Sequence, residues 1–235
     1  MRQESEMKSV TFGIKRESGY QMKEALRTLR TNLQFCGDDV KTILMTSAAP
    51  NEGKSTVIMG LAKSLSDAGK SVVVIDADLR KSVRIGRHRI KADDGGEILG
   101  LSHFLSGQKK LEDVLYATET PKLFMVFAGP TVPNPTEILD THYFEELITF
   151  CRRTFDYILI DCPPLGAAID AAVVAKQCDG AILIVAQGMI SSRMITQARK
   201  QLESSGVRIL GAVLNKAKAK HTSYYGSRYY GKYYG

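Results

Sequence analysis

Three aspartates stand where two apolar runs stop. Ser71–Ile75 runs into Asp76-Ala77-Asp78-Leu79-Arg80, and Tyr157–Ile160 runs into Asp161-Cys162-Pro163-Pro164. Short apolar runs that end in turn-forming residues read as buried strands, so the carboxylates fall at strand carboxyl ends. A charge held there is costly unless it meets a counter-ion. Mg²⁺ suits the position, because it takes one or two carboxylates and completes its shell with water and phosphate oxygens. Asp76 and Asp78 lie on the same side of an extended chain. One can hold the metal while the other accepts a proton from an attacking hydroxyl. The plainer readings are a solvated Asp-x-Asp turn and, for Asp161, a helix N-cap.

The residues that would bring the phosphates are at 47–57, SAAPNEGKSTV. Gly53-Lys54-Ser55 ends a GxxxxGK[ST] pattern that follows the apolar run Thr42–Thr46 and opens a helical pattern. The loop Ala49, Pro50, Asn51, Glu52, Gly53, Lys54, Ser55 and Thr56 is therefore expected to bind ATP. Its backbone N–H groups and the helix N-terminus would face the anion. Lys54 would reach the β- and γ-phosphates, and the Ser55 hydroxyl would ligate Mg²⁺. The pattern departs from the consensus at its first glycine, which is Ala48 here. Phosphoryl transfer needs mainly positioning and charge neutralisation, and these groups supply both. The nucleophile, water or a hydroxyl, stays open at this point.

The elements that must position these residues follow from periodicity. Strands are expected at Thr42–Thr46, Ser71–Ile75, Leu123–Phe127, Tyr157–Ile160, Ala181–Val185 and Ile209–Leu214. Helices are expected near 54–68, 100–106, 111–117, 136–152, 168–176 and 191–205. Strands alternating with helices imply βαβ units. The expected fold is a P-loop NTPase-like α/β domain: a doubly wound, mostly parallel sheet with helices on both faces and ligands at the strand carboxyl ends. Residues 1–19 read as irregular, 20–215 as the P-loop domain, and 216–235 as a flexible tail. Within the domain, 20–35 form an amphipathic helix with Met22, Leu26, Leu29 and Leu33 at helical spacing. The stretch 80–97 reads as an exposed basic loop, densest in charge over 80–91, with a solvated face as its plain reading.

The chain has 235 residues, 44% hydrophobic and 24% charged, and a net charge of +7. That supports one sizeable α/β domain. The basic excess fits phosphates, an acidic partner or a membrane surface. No recognition-helix or aromatic-interleaved pattern supports nucleic acid, which is not expected as a partner. Cys36, Cys151, Cys162 and Cys178 form no CxxC pair. Reduced thiols in a cytosolic protein are expected. No apolar run approaches the roughly 20 residues of a membrane helix.

The boxes VVVIDADLRK and YILIDCPP, together with the phosphate loop, resemble the bacterial tyrosine kinases. AGPTVPNPTEIL (128–139) and GAVLNK (211–216) are also similar to that family, and the likeness spans residues 20–235. It is closest to the stand-alone form found with capsule and exopolysaccharide systems. The resemblance implies ATP and Mg²⁺ contacts at Lys54 and Ser55. It implies metal-site carboxylates at Asp78 and Asp161, a base at Asp76, an active-site arginine at Arg80, and Asn215 near the adenine. Glu24, Arg27 and Arg30 match the family's oligomerisation motif, which implies a ring-like homo-oligomer. A cytoplasmic protein recruited to the inner membrane face is expected. The implied partners are a membrane-anchored activator, a phosphotyrosine phosphatase and sugar-nucleotide enzymes as substrates.

The end of the chain carries the family's tyrosine cluster. Six of ten tyrosines, Tyr224, Tyr225, Tyr229, Tyr230, Tyr233 and Tyr234, lie in the last twelve residues among Gly, Lys and Arg. Each phosphate would add roughly −1.5 to −2 charge, so a few would reverse the tail's sign. The expected activity is autophosphorylation of this cluster in trans, regulating capsular or extracellular polysaccharide synthesis and export. Two rivals remain: an ATPase switch of the partition or division-site type, and a nucleotide-dependent scaffold. Against the first, Ala49 stands where those ATPases usually carry a signature lysine.

Overall fold

A computed structural model of the chain describes residues 7–13, 19–81, 89–166 and 169–217. Along the chain run β1 (Ser9–Phe12), α1 (Tyr20–Gln34), β2 (Thr42–Ser47), α2 (Lys54–Asp67), β3 (Val72–Asp76) and β4 (Ile90–Ala92). Next come α3 (Leu101–Leu105), α4 (Leu111–Val114), β5 (Leu115–Thr118), β6 (Leu123–Val126), α5 (Pro135–Leu139) and α6 (His142–Thr154). The last elements are β7 (Tyr157–Asp161), α7 (Asp170–Ala175), β8 (Gly180–Ala186), α8 (Ser192–Ser204) and β9 (Ile209–Asn215).

The strands form one sheet in the order β4-β1-β5-β6-β3-β7-β2-β8-β9. From β6 to β9 every neighbouring pair is parallel. The inner strands β3, β7, β2 and β8 are buried along almost their whole length because both faces of the sheet are covered. In β2, Ile43 and Met45 join one core while Leu44 joins the other. In β3, Val72 and Val74 divide from Val73 and Ile75 in the same way. Helices α1 and α2 cover the first face through Leu33, Val57, Ile58, Leu61 and Leu65. The other face is covered by α3 to α8, through residues such as Phe104, Phe144, Leu147, Val174 and Leu202. The doubly wound α/β architecture expected from the sequence is the one found.

Four local readings are corrected. Residues 9–12, expected to be irregular, form β1, which pairs parallel with β5 and antiparallel with β4. Only Val10 of that strand is fully buried, so four residues gave no usable periodicity. Residues 90–92, expected to be loop, supply β4 at the sheet edge. The helix expected over 111–117 stops at Val114, and Leu115–Thr118 becomes a strand. A neighbour decides this: β5 pairs antiparallel with β6 through a turn closed by Thr118 Oγ1 on the Leu123 carbonyl at 2.8 Å. Finally, the helix expected over 136–152 is two helices. Extended backbone at Thr141 ends the first turn-and-a-half and opens α6.

Candidate active site

The phosphate loop joins the buried strand β2 to α2 and is braced from inside. Gly53 precedes α2 with φ +87°, a left-handed conformation that L side chains adopt at a cost. A Cβ on Gly53 would stand 2.3 Å from Asn215 Nδ2. The Asn215 amide donates to the Glu52 carbonyl at 2.8 Å, so the end of β9 closes on the loop. The Glu52 side chain turns inward and is 1% exposed. Its carboxylate accepts from the backbone N–H of Ala49 at 2.7 Å and of Ala186 at 2.8 Å. Glu52 thus braces the loop with its side chain and leaves only its backbone for a ligand. Lys216 Nζ donates to the Asn51 carbonyl at 2.6 Å and adds a second tie from the end of β9. Ala48, in place of the first consensus glycine, has its methyl in the core beneath the loop. Thr56 N and Val57 N both donate to the Gly53 carbonyl at 3.1 Å, so the helix starts directly from the loop and brings its anion-favouring N-terminal end to it.

The acidic residues meet at the adjacent strand ends. Asp76 and Asp161 are direct register partners across β3 and β7, and each is 3% exposed. Ser55 Oγ donates to Asp161 Oδ2 at 2.8 Å, so the phosphate loop and β7 touch through the two groups expected to share a metal. Asp76 Oδ1 accepts from the Asp78 N–H at 3.2 Å. The chain therefore turns immediately after β3, and Asp78 is half-buried rather than stacked on Asp76 along an extended strand. Among the described residues no three acidic, histidine or cysteine side chains converge as a closed metal cage. Mg²⁺ does not require one, since it takes few protein ligands and keeps phosphates and waters. A hydroxyl beside carboxylate oxygens is the donor set for such a hard ion.

Arg80 follows four residues after the end of β3 and is strongly engaged. Its Nε and Nη2 donate to Asp170 Oδ2 and Oδ1 at 2.8 and 3.0 Å. Thr136 Oγ1 donates to Asp170 Oδ1 at 2.5 Å. Burial pulls the Asp170 carboxyl pKa up, but the bonds from Arg80 and Thr136 outweigh it and hold the pKa below the ordinary value. The Arg80 pKa is raised, chiefly by its bond to Asp170. Sequence reasoning missed Asp170 and Thr136. The available signals were an Asp heading the apolar run of α7, and Thr136 within the AGPTVPNPTEIL stretch.

Comparison with known proteins is consistent with this geometry. The AAA domain family matches residues 40–204. Tyrosine-protein kinase CpsD of Streptococcus agalactiae is 40% identical over 210 residues, 89% of this chain and 90% of that protein. The chain belongs to the bacterial tyrosine kinases. The solved chimerical protein CapA2B2 superposes on this kinase with a TM-score of 0.76 at 28% identity, covering 83% of this chain and 84% of that one. The septum site-determining protein MinD of Pyrococcus horikoshii, solved with Mg-ADP, is more distant. Its TM-score is 0.62 at 27% identity, over 77% of this chain and 72% of that one.

The remaining expected residues of the kinase divide into two groups. On α1, Arg27 Nη1 donates to Glu24 Oε1 at 2.6 Å along an exposed helix face. Arg30 instead reaches α2, donating to the Ser64 carbonyl at 2.7 Å. Tyr224, Tyr225, Tyr229, Tyr230, Tyr233 and Tyr234 lie outside the described residues, as does 82–88 of the basic stretch. All four cysteines are free, with Cys151 and Cys162 buried. Burial pushes the Cys151 thiol up to about 12. No helix of the described residues is long and apolar enough to cross a membrane.

Proposed function

We propose that this kinase transfers the γ-phosphate of ATP to the tyrosine hydroxyls of its own C-terminal cluster, in trans between copies. The observation that carries the reading is the direct Ser55–Asp161 bond, with Asp76 in register beside it. It joins the phosphate loop to the acidic strand ends at one point. The loop N–H groups and Lys54 bind the β- and γ-phosphates. Ser55, Asp78 and Asp161 would hold Mg²⁺, which when bound neutralises charge on the phosphate oxygens. Asn215, whose amide closes on the loop at Glu52, would border the adenine. Asp76 takes the proton of the tyrosine hydroxyl as its oxygen bonds to the γ-phosphorus, and the bond to the bridging oxygen breaks to release ADP.

The cluster also suggests a self-limiting signal. Added phosphates reverse the charge of a basic tail that would otherwise approach an acidic, ATP-bearing site. The wider reading is control of capsular or extracellular polysaccharide synthesis and export. It involves recruitment to the inner membrane face by a membrane-anchored activator, reversal by a phosphotyrosine phosphatase, and sugar-nucleotide enzymes as further substrates.

The test is mass-spectrometric mapping of phosphotyrosine after incubation with Mg-ATP, using Lys54→Met as control, with and without an activator's cytoplasmic segment. Phosphate on Tyr224–Tyr234, absent in the control, is expected. Phosphate release without phosphotyrosine under both conditions would favour an ATPase switch, the reading that the likeness to MinD keeps in view.

A further inference from the structure

The ion pair at Arg80 is built unlike a surface bridge. Asp170 is 0% exposed, while the Arg80 side chain keeps 42% of its surface. A fully buried carboxylate is tolerated only when its oxygens are satisfied by cations and hydrogen bonds. Here Oδ2 takes Arg80 Nε, and Oδ1 takes Arg80 Nη2 together with Thr136 Oγ1. The guanidinium is held along one edge by two parallel bonds, which fixes its plane as well as its position. That geometry uses Nε and Nη2. Nη1, with its two N–H groups, has no partner among the described residues. Arg80 lies two residues beyond Asp78, close enough that the Asp78 charge acts on it. Three elements meet at this point: the end of β3, the start of α5 and the start of α7.

We propose that Asp170 is a positioning residue for phosphoryl transfer. With Thr136, it orients Arg80 so that Nη1 donates to an oxygen of the transferred phosphoryl group. This rests on the kinase reading above. A donor already oriented when charge builds on the phosphoryl oxygens needs no reorganisation, and that is where such a group accelerates the step. A free arginine would sample many rotamers and meet the phosphate only part of the time. The arrangement also gives AGPTVPNPTEIL a purpose, since its Thr136 locks the carboxylate that locks the arginine. Asp170 touches neither substrate nor metal in this scheme and acts only through Arg80.

The test uses the full chain with Asp170→Asn, Arg80→Met, the double variant and the milder Thr136→Val. Phosphotyrosine formation, fluorescent-nucleotide binding and thermal unfolding are measured on each. Asp170→Asn should lower kcat about 10–100-fold, with KM for ATP and nucleotide affinity within about twofold. Thr136→Val should lower kcat in the same direction by less. Arg80→Met should lower kcat at least as far, and it should also lose stability because Asp170 is left buried and unpaired. The double variant should regain that stability, yet be no slower than Arg80→Met alone.

Independent losses in the double variant would overturn the proposal, because Asp170 would then act by another route. So would an Asp170→Asn enzyme that keeps wild-type kcat below its unfolding temperature, which would leave the pair a structural tie. If the wild type forms no phosphotyrosine while binding nucleotide, the kinase reading fails and this role of Asp170 falls with it, an outcome distinct from a wild-type enzyme whose kcat Asp170→Asn leaves unchanged.

Discussion

Replacing Glu52 by Gln should damage the phosphate loop without touching any group that faces the nucleotide. The Glu52 carboxylate is buried and accepts two backbone N–H groups, Ala49 from the loop and Ala186 from the end of β8. A hydrogen bond to a charged acceptor contributes about 1.5–3 kcal/mol. An amide keeps one of these bonds in weaker, neutral form. Its NH₂ must then face the other backbone N–H, leaving a buried donor unsatisfied at about 1–3 kcal/mol. The net loss is about 3 kcal/mol, which for a domain of this size lowers Tm by about 6–12 °C. Because the brace fixes the loop, Mg-ATP affinity should fall as well, and saturating nucleotide should recover part of the lost Tm. Differential scanning fluorimetry with and without Mg-ATP reads both effects. Glu52→Ala should be at least as damaging, since both donors are then orphaned. A Tm within about 2 °C of wild type for both variants, with unchanged nucleotide affinity, would refute the reasoning.

Two further predictions concern the rim of the sheet and α1. Asp179 accepts from Lys41 N, Thr42 N and Arg152 Nη2 at 2.9, 2.7 and 2.6 Å. Burial raises its pKa, but the bonds from Arg152 and the backbone outweigh that and leave it lowered. Its stabilisation is therefore present above the ordinary aspartate pKa of about 4 and is lost as pH falls through the lower folded value. Asp179→Asn should cost about 1–3 kcal/mol at neutral pH, and the gap to wild type should close in strong acid. Equal Tm differences at both pH values would contradict this. On α1, the two arginines of the expected oligomerisation motif should separate. Arg27→Glu should reduce the mass seen by light scattering with Tm kept within about 2 °C, because among the described residues the Arg27 side chain pairs with the exposed Glu24 alone. Arg30→Glu should lower Tm, because it breaks the tie to Ser64 on α2. An unchanged mass for Arg27→Glu would remove this helix face from any assembly.

Much of this protein was legible in its sequence, for reasons that can be named. The inner strands are covered on both faces, so they read as unbroken apolar runs, and their acidic ends mark the side where ligands bind. The phosphate loop is read from local chemistry, because Gly53 must adopt a positive φ and Lys54 and Ser55 must follow at once on a helix. Those signals are local in the chain, and sequence reasoning sees local signals.

What it could not see depends on partners far along the chain. Leu115–Thr118 could continue a helix, and the available edge of β6 makes it a strand. β1 exists because β5 and β4 supply its hydrogen bonds on either side, and β4 because β1 offers its outer edge at the margin of the sheet. Glu52 lies within the loop pattern, but its inward turn is set by Ala186, 134 positions away. Asp170 finds Arg80 across 90 positions and Thr136 across 34. Local sequence determined which groups could do the chemistry. Tertiary structure decided which of them face a ligand and which hold the others in place, because a buried charge is settled only by the partners the fold brings to it.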